Sequence, residues 1–598
     1  SVHNLSCGFL NFNIIELVVF GSMLGLSVLI GVYYGCFRKN QNTVSEYMLG
    51  GKQMGVFPIT ISLIASHVSG ITLLGVPSEI YSYGTQYYAN VISNFVVTLL
   101  ALYFFIPVFY TLQLNSIYQY LELRFSHKVR MLGSFIFALS LIVHIPVVIY
   151  VASLAFNQVT GVSVHILAPL VCGICIFYTV LGGLKGVVWA DVLQSIFTIT
   201  ASLSVIVIGF ITVGGFQEVI KANIEGGRLE LFNMDTNIFA RNTFWTVSLG
   251  STVSWISSIA IDPGTVQRFL SLPTEVSAKR SMVWFSFGKV VMNSLSVVMG
   301  LIIYTKYRGC DPIATKAIDK SGQLLPYFVM DVAGRFPGIN GLFISGVVST
   351  ALSAMSTGLN TVAGTIYEDF IYFFTLNKHS DATASLMMKL IVVVVGTICV
   401  LKVFIVEQLG DILQVALSLG GLTHGASLSL FLLGMFFPWA NTKGAVAGAV
   451  SSIAVMLWLV IGAQAAIAKK HLMFPGKQTR VDMCPANFTS LPADVLFKNV
   501  QNYTGIGTPV IADEFVPFFY RLSYNYYNAL GTFIGVAVGL IVSYFTGLED
   551  LTHLNSNLFV PQIRNYIRRK QNSKNFSRNI LQRNHFDKIN VHTYDTKL

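Results

Sequence analysis

The clearest chemical pattern in the chain is Gly346, Ser349, Thr350 and Ser353. Spacings of three and four put them on one face of a helix. That face offers three hydroxyls beside a residue with no side chain. Na+ is a hard cation that needs several oxygen ligands, and hydroxyls with main-chain carbonyls supply them without adding a full charge. The same spacing also serves close helix packing, with each Ser or Thr bonded to its own backbone. On spacing alone both readings stand.

A second pattern lies in FPITISLIASHVSGITLLGVPSEIYSYG, residues 57–84. It is apolar enough to cross a bilayer, yet Ser66, His67, Ser69, Gly70 and Thr72, with β-branched Val68 and Ile71, make its middle poor helix material. A helix facing lipid has no use for such residues, because lipid offers no partners for freed backbone groups. Inside a bundle, a break there turns carbonyls toward an ion or solute. A second interruption falls at 244–269, FWTVSLGSTVSWISSIAIDPGTVQRF, where Gly250, Ser251, Ser254, Ser257 and Ser258 weaken the helix. Asp262-Pro263-Gly264 then stops or kinks it. Paired breaks at corresponding places in two halves point to a secondary transporter.

Asp191 opens another span, with Gln194 and Ser195 on its face. A charged side chain at bilayer depth costs roughly 3 kcal/mol and usually faces a cavity or a partner. Glu79 reads as a water-exposed residue at the outer end of its span. His67 reads as a hydrogen-bonded structural residue, not a proton relay. No GxxxxGK[ST] loop is present, so ATP-driven work lacks its usual phosphate cradle. One positive charge moving inward through ~100 mV releases about 2.3 kcal/mol, enough for a nearly fiftyfold solute gradient. The pattern is that of a gradient-driven carrier, not an enzyme.

The elements that must position these residues are membrane helices. Of 598 residues 54% are hydrophobic and 11% charged, with mean hydropathy +0.65. Soluble domains average about 25% charged residues, so the composition implies an all-α polytopic membrane protein. Counting spans of about 20 apolar residues gives thirteen, near 12–36, 57–82, 88–112, 129–156, 162–181, 188–213, 243–266, 282–305, 338–366, 385–406, 412–437, 444–468 and 525–547. The second to sixth and the seventh to eleventh form two five-helix units of inverted topology, each opened by a broken helix. This divides the chain into an N-terminal part (1–56), a transport core (57–437), peripheral helices with a large outer loop at 469–524 (438–547), and a basic tail (548–598).

Lys and Arg in the short connections set orientation. Arg38, Lys39, Lys52, Arg124, Lys128, Arg130, Lys185, Arg268, Lys279 and Arg280 fall on one side with the tail, which predicts an outer N-terminus and a cytoplasmic C-terminus. The sequons at Asn4, Asn487 and Asn502 all fall on the outer side, whereas Asn575 falls inside. The net charge of +11 is concentrated near the C-terminus, as a solvated tail or one touching anionic lipid. Nucleic acid is not an expected partner; the lipid bilayer and a small-molecule solute are. Cys36, Cys172, Cys175 and Cys399 read as packing residues. Cys7, Cys310 and Cys484 fall in outer segments, where one pair can oxidise.

Successive motifs between about 47 and 439 resemble the sodium:solute symporter family: SEYMLGGKQM, SLIASHVSGITLLGVPSEIYSYG, YQYLELRF, YTVLGGLKGVVWADVLQ, VQRFLS and STALSAMSTGLNTVAGTIYEDF. The resemblance implies a LeuT-like five-plus-five core working by alternating access, with Na+ as the co-transported ion and no organic cofactor. It implies a Na+ site from the carbonyls of Ala65, Val68 and Gly346 and the hydroxyls of Ser349 and Thr350. It links Asp191 to ion coupling, with Gln194 and Ser353 contributing to a second ion position, and it implies a substrate cavity at Ser69, Gly70, Thr72, Ser254 and Ser257. Many members carry an Asn-Gln pair where this chain has Asp262-Pro263.

The Ser-Thr pair and YxxLELRF look closest to the branch carrying iodide, vitamins and monocarboxylates. A plasma-membrane importer of a small organic anion is therefore the expectation, the anion being held by half-helix N-termini or by Lys289. A neutral solute such as a sugar or inositol, or iodide, is the alternative within the fold. A transport-deficient Na+-responsive sensor is the alternative outside it.

Overall fold

The computed structural model describes residues 13–37, 44–114, 116–334, 336–375, 380–406, 418, 420–484, 509–511, 516–551 and 554–572. The sequons at Asn4, Asn487, Asn502 and Asn575, together with Cys7 and the start of the eleventh expected span, lie outside these residues.

Helix α1 (Ile14–Phe37) opens on a capping box, in which the Ile14 amide donates to Asn13 Oδ1 at 2.8 Å and the Asn13 amide donates to Glu16 at 3.1 Å. The second span is broken as its composition requires. Helices α2 (Val56–His67) and α3 (Ile71–Tyr83) meet at a 55° bend. Val68 leaves the helical region there, at φ −93° and ψ 85°. Next come α4 (Thr85–Leu112), α5 (His127–Thr160) and the 50-residue α6 (Val164–Val213). Gly183 turns α6 at φ 53° and ψ −157°, a conformation suited to glycine. That turn joins the two spans expected at 162–181 and 188–213.

The seventh span is interrupted at Ile261-Asp262, between α7 (246–260) and α8 (Pro263–Leu270). Asp262 caps α8, accepting from the Thr265 amide at 2.8 Å and the Thr265 hydroxyl at 3.0 Å. Pro263 takes the first helical position, where its missing N–H costs nothing. The departure at Asp262-Pro263 is thus a well-made helix start. Helices α9 (Glu275–Tyr307), α10 (Ile339–Ile371), α11 (Asp381–Val406), α12 (His424–Phe436), α13 (Thr442–Ala468) and α14 (Tyr524–Thr546) follow.

Among the described residues nine helices are singly long and apolar enough to cross a bilayer, and α2–α3 adds a tenth as a bent pair. Each of the thirteen expected segments has a helical counterpart once α6 counts as two and α7–α8 and the shorter α12 are included. Helix α10 runs through the centre, buried along most of its length against α6 and α5. At the periphery, α12, α13 and α14 meet through glycines. A Cβ at Gly425 would stand 3.0 Å from the Gly531 backbone, and Gly448 lies directly against Gly535. Beyond the helices, a disulfide joins Cys310 to Cys484 across Cα atoms 4.9 Å apart, so the pair that oxidises is these two.

Candidate functional site

The break in the second span and the hydroxyl face of α10 come together. A Cβ placed on Gly70 would stand 3.7 Å from Thr350 Oγ1 and 3.4 Å from Val151. Ser349 is fully buried, and its Oγ has no hydrogen-bond partner among the described residues. Thr350 donates to the Val347 carbonyl at 2.7 Å, leaving its oxygen lone pairs free to accept. Ala65 and Val68 are both buried at the last turn of α2, where a helix end leaves carbonyls without intrahelical donors. Gly346 faces α6 at close range, where its carbonyl accepts from Thr198 Oγ1 at 3.1 Å. That bond adds to the one the carbonyl accepts within its own helix.

The expected Asp191, Gln194 and Ser353 are all buried, and Gln194 Oε1 and Ser353 Oγ have no hydrogen-bond partner among the described residues. Asp191 is completely buried, accepting from Ser62 Oγ at 2.5 Å and from Arg268 Nη2 at 3.2 Å. Ser353 lies beside it. Gln194 reaches back to α1 and donates to Ser27 Oγ at 3.3 Å. Arg268 is the unexpected member. Read from its position as a loop cation, it is 1% exposed and tied to Ser62 at 2.9 Å, Ser66 at 3.2 Å and Thr357 at 2.5 Å. One guanidinium thus holds α2, α6, α8 and α10 together, supplying donors in a fixed fork.

Four of the five expected substrate residues, Ser69, Thr72, Ser254 and Ser257, line a single cavity of about 300 Å³. Gly70 lies behind it against Val151 and Thr350. His67 bridges the two breaks, with Nδ1 2.9 Å from the Leu63 carbonyl and Nε2 3.2 Å from the Ser258 carbonyl. It holds the structural role its isolation suggested. Lys289 also lines the cavity, 8% exposed, with Nζ 2.9 Å from the centroid of the Trp255 ring. Trp255 is fixed in turn by Asn90, which accepts from its indole nitrogen at 2.7 Å. Nζ has no hydrogen-bond partner among the described residues. A buried cation with no anion or hydrogen-bond acceptor beside it is costly, and Lys289 lines a space a solute can enter.

Glu79 is not the water-facing residue its position suggests. It is 2% exposed and clamped by Arg241, whose Nε and Nη2 donate to its two oxygens at 2.9 Å each, with Asn242 adding a bond at 2.6 Å. The partner comes from a segment 162 residues away, which nothing local to Glu79 announces. For Arg268 a signal did exist: VQR directly follows a helix break, where a cation is as well placed to pair as to meet water.

Two interrupted helices enclosing one cavity, with a hydroxyl face behind one break, define a LeuT-like secondary transporter. The chain belongs to the sodium:solute symporter family, whose family model matches residues 47–451. It is 34% identical over 569 residues to a sodium-coupled monocarboxylate transporter 1 of Xenopus laevis, covering 92% of this chain and 90% of that one. A sodium-dependent multivitamin transporter of Oryctolagus cuniculus is 35% identical, with 90% and 83% covered. In fold the chain is similar to a Na+-coupled sialic acid symporter solved in a substrate-bound outward-open state, with TM-score 0.71 and 23% identity over 90% of this chain and 99% of that one.

Proposed function

We propose that the chain imports a small monocarboxylate together with Na+, and that Lys289 is the counter-charge for the carboxylate. The unpartnered Nζ in the cavity between the two breaks carries this reading. The N-terminus of α8, the other expected anion site, already holds the Asp262 carboxylate. An incoming anion is repelled there and drawn to Lys289. Relatives named for monocarboxylate and multivitamin transport support the substrate class. A neutral solute would leave Lys289 uncompensated.

Na+ is held by the carbonyls of Ala65, Val68 and Gly346 and the hydroxyls of Ser349 and Thr350. Its support is the buried, unpartnered Ser349 oxygen opposite the Gly70 break. Asp191 acts through Arg268 and Ser62, as the joint between the ion-bearing helix and α8. Ser353 adds an oxygen beside it. Residues 57–437 form the moving core, 438–547 its flank and 548–598 a cytoplasmic tail. The protein works in the plasma membrane with its N-terminus and the 469–524 loop outside, glycosylated at Asn4, Asn487 and Asn502. The oxidised Cys310–Cys484 pair supports that side for the loop.

Tracer uptake in expressing cells, with and without Na+, tests the reading against acetate, lactate, biotin, iodide and glucose. Lys289→Gln should abolish carboxylate uptake at unchanged surface expression, with Lys289→Arg restoring part of it. Glucose preferred over every carboxylate, or full carboxylate uptake by Lys289→Gln, refutes the assignment. Ser349→Ala and Thr350→Ala should each raise the half-maximal Na+ concentration about tenfold or more, the scale of one lost hydrogen bond to a charge. Unchanged Na+ dependence refutes the ion site.

A further inference from the structure

Helix α14 lies outside the paired five-helix units, yet its first turn reaches the cavity. Asn525 and Asn528 line the same space as Ser254, Trp255 and Lys289. The turn is fastened from outside: Asn525 Nδ2 and Ser523 Oγ both donate to the Arg241 carbonyl at 3.0 Å. It is also pressed against α7, where a Cβ on Gly250 would stand 2.7 Å from the Asn525 carbonyl carbon. Asn528 Nδ2 donates to Ser254 Oγ at 2.7 Å. The other end of that carboxamide, Oδ1, has no partner among the described residues, although Asn528 is 4% exposed. Buried amide oxygens are almost always paired, and this one belongs to a residue that lines the solute space.

A carboxylate cannot supply the missing donor, because in its ionised form it only accepts. The donor must come from another part of the solute. We propose that Asn528 reads a hydroxyl on the carbon chain of the carboxylate, so that short hydroxycarboxylates are preferred over plain alkyl carboxylates. The inference rests on the assignment of Lys289 to the carboxylate. Ser254 acts as the positioning residue, taking the amide N–H so that the amide oxygen is left for the solute. An alkyl chain in the same place leaves that oxygen unpaired, and sites built to pair with a substrate hydroxyl discriminate strongly against analogues without one.

Lactate and propionate differ by one hydroxyl, and their Na+-driven uptake by cells expressing the full chain is the test. The half-saturation concentration should be about tenfold or more lower for lactate. Asn528→Leu should erase that difference by weakening lactate far more than propionate, and Ser254→Ala should narrow it. Equal half-saturation in the unmodified protein overturns the inference, as does an Asn528→Leu loss shared equally by both solutes. Pyruvate preferred over lactate also overturns it, because the amide would then be presenting its N–H. If Asn528→Leu fails to reach the surface, the wild-type ratio and Ser254→Ala decide. Na+-driven propionate uptake without hydroxyl discrimination leaves the monocarboxylate reading standing; no Na+-driven uptake of any carboxylate removes both.

Discussion

Arg268→Ala removes the cation from the most enclosed ion pair at the site. Asp191, completely buried, would keep only the Ser62 hydroxyl at 2.5 Å, with Ser353 nearby. Breaking a buried pair from one side costs about 3–5 kcal/mol, because the remaining charge stays desolvated. Retention of the Ser62 bond puts the expected loss at the lower end, about 3 kcal/mol. Asp191→Asn is milder. Its amide oxygen still accepts, and Arg268 keeps Ser66, Thr357 and the Gly264 carbonyl, so the loss is about 1.5–3 kcal/mol, that of a charged hydrogen bond.

The double variant Arg268→Ala with Asp191→Asn leaves no unpaired charge and should be more stable than Arg268→Ala alone. Denaturant titration of purified protein in mixed micelles, followed by tryptophan fluorescence, measures all four corners of the cycle. Additivity within about 0.5 kcal/mol would mean the two residues do not interact, and would refute the joint drawn between α6 and α8. The same four proteins in Na+ titrations of uptake separate a stability role from an ion-coupling role.

Three further outcomes follow from the geometry. Glu79→Gln removes the counter-charge of the Arg241 guanidinium, itself 2% exposed, while its amide oxygen still accepts, and should cost about 1.5–3 kcal/mol in the same titration, with Arg241→Ala, which leaves the carboxylate buried, costing more. Cys310→Ser opens a link across 174 residues and should lower stability by about 2–4 kcal/mol; non-reducing peptide mapping of the parent should recover Cys310 joined to Cys484. Gly250→Ala drives a methyl into the Asn525 backbone and should cost about 1–3 kcal/mol, while shifting the solute half-saturation because α14 moves away from α7.

Both helix breaks were legible in the sequence because their cause is local. Val68-Ser69-Gly70 and Asp262-Pro263-Gly264 each weaken a helix through their own composition. The hydroxyl face of α10 was legible for the same reason, since spacing alone fixes it. The partners of the charged residues were not. Arg268 and Asp191 are 77 residues apart, and Glu79 and Arg241 are 162 apart. A charge is scored by its immediate neighbours as a loop cation or a wet helix end until the fold supplies the other half. Gln194 is similar: the resemblance links it to a second ion position, and the fold adds a contact of its amide nitrogen with Ser27 of α1 at 3.3 Å, 167 residues away. Asn528 gave no signal, because its importance comes from where a peripheral helix crosses α7.

The glycine contacts among α12, α13 and α14 give the solute chamber one hard wall. Main chain rests on main chain at Gly425–Gly531 and Gly448–Gly535, so at those points there are no side chains to compress. The facing wall is two interrupted helices joined by side-chain hydrogen bonds from His67 and Arg268, contacts that exchange more easily than backbone against backbone. A solute in the chamber thus meets backbone-locked helices on one side and hydrogen-bonded breaks on the other.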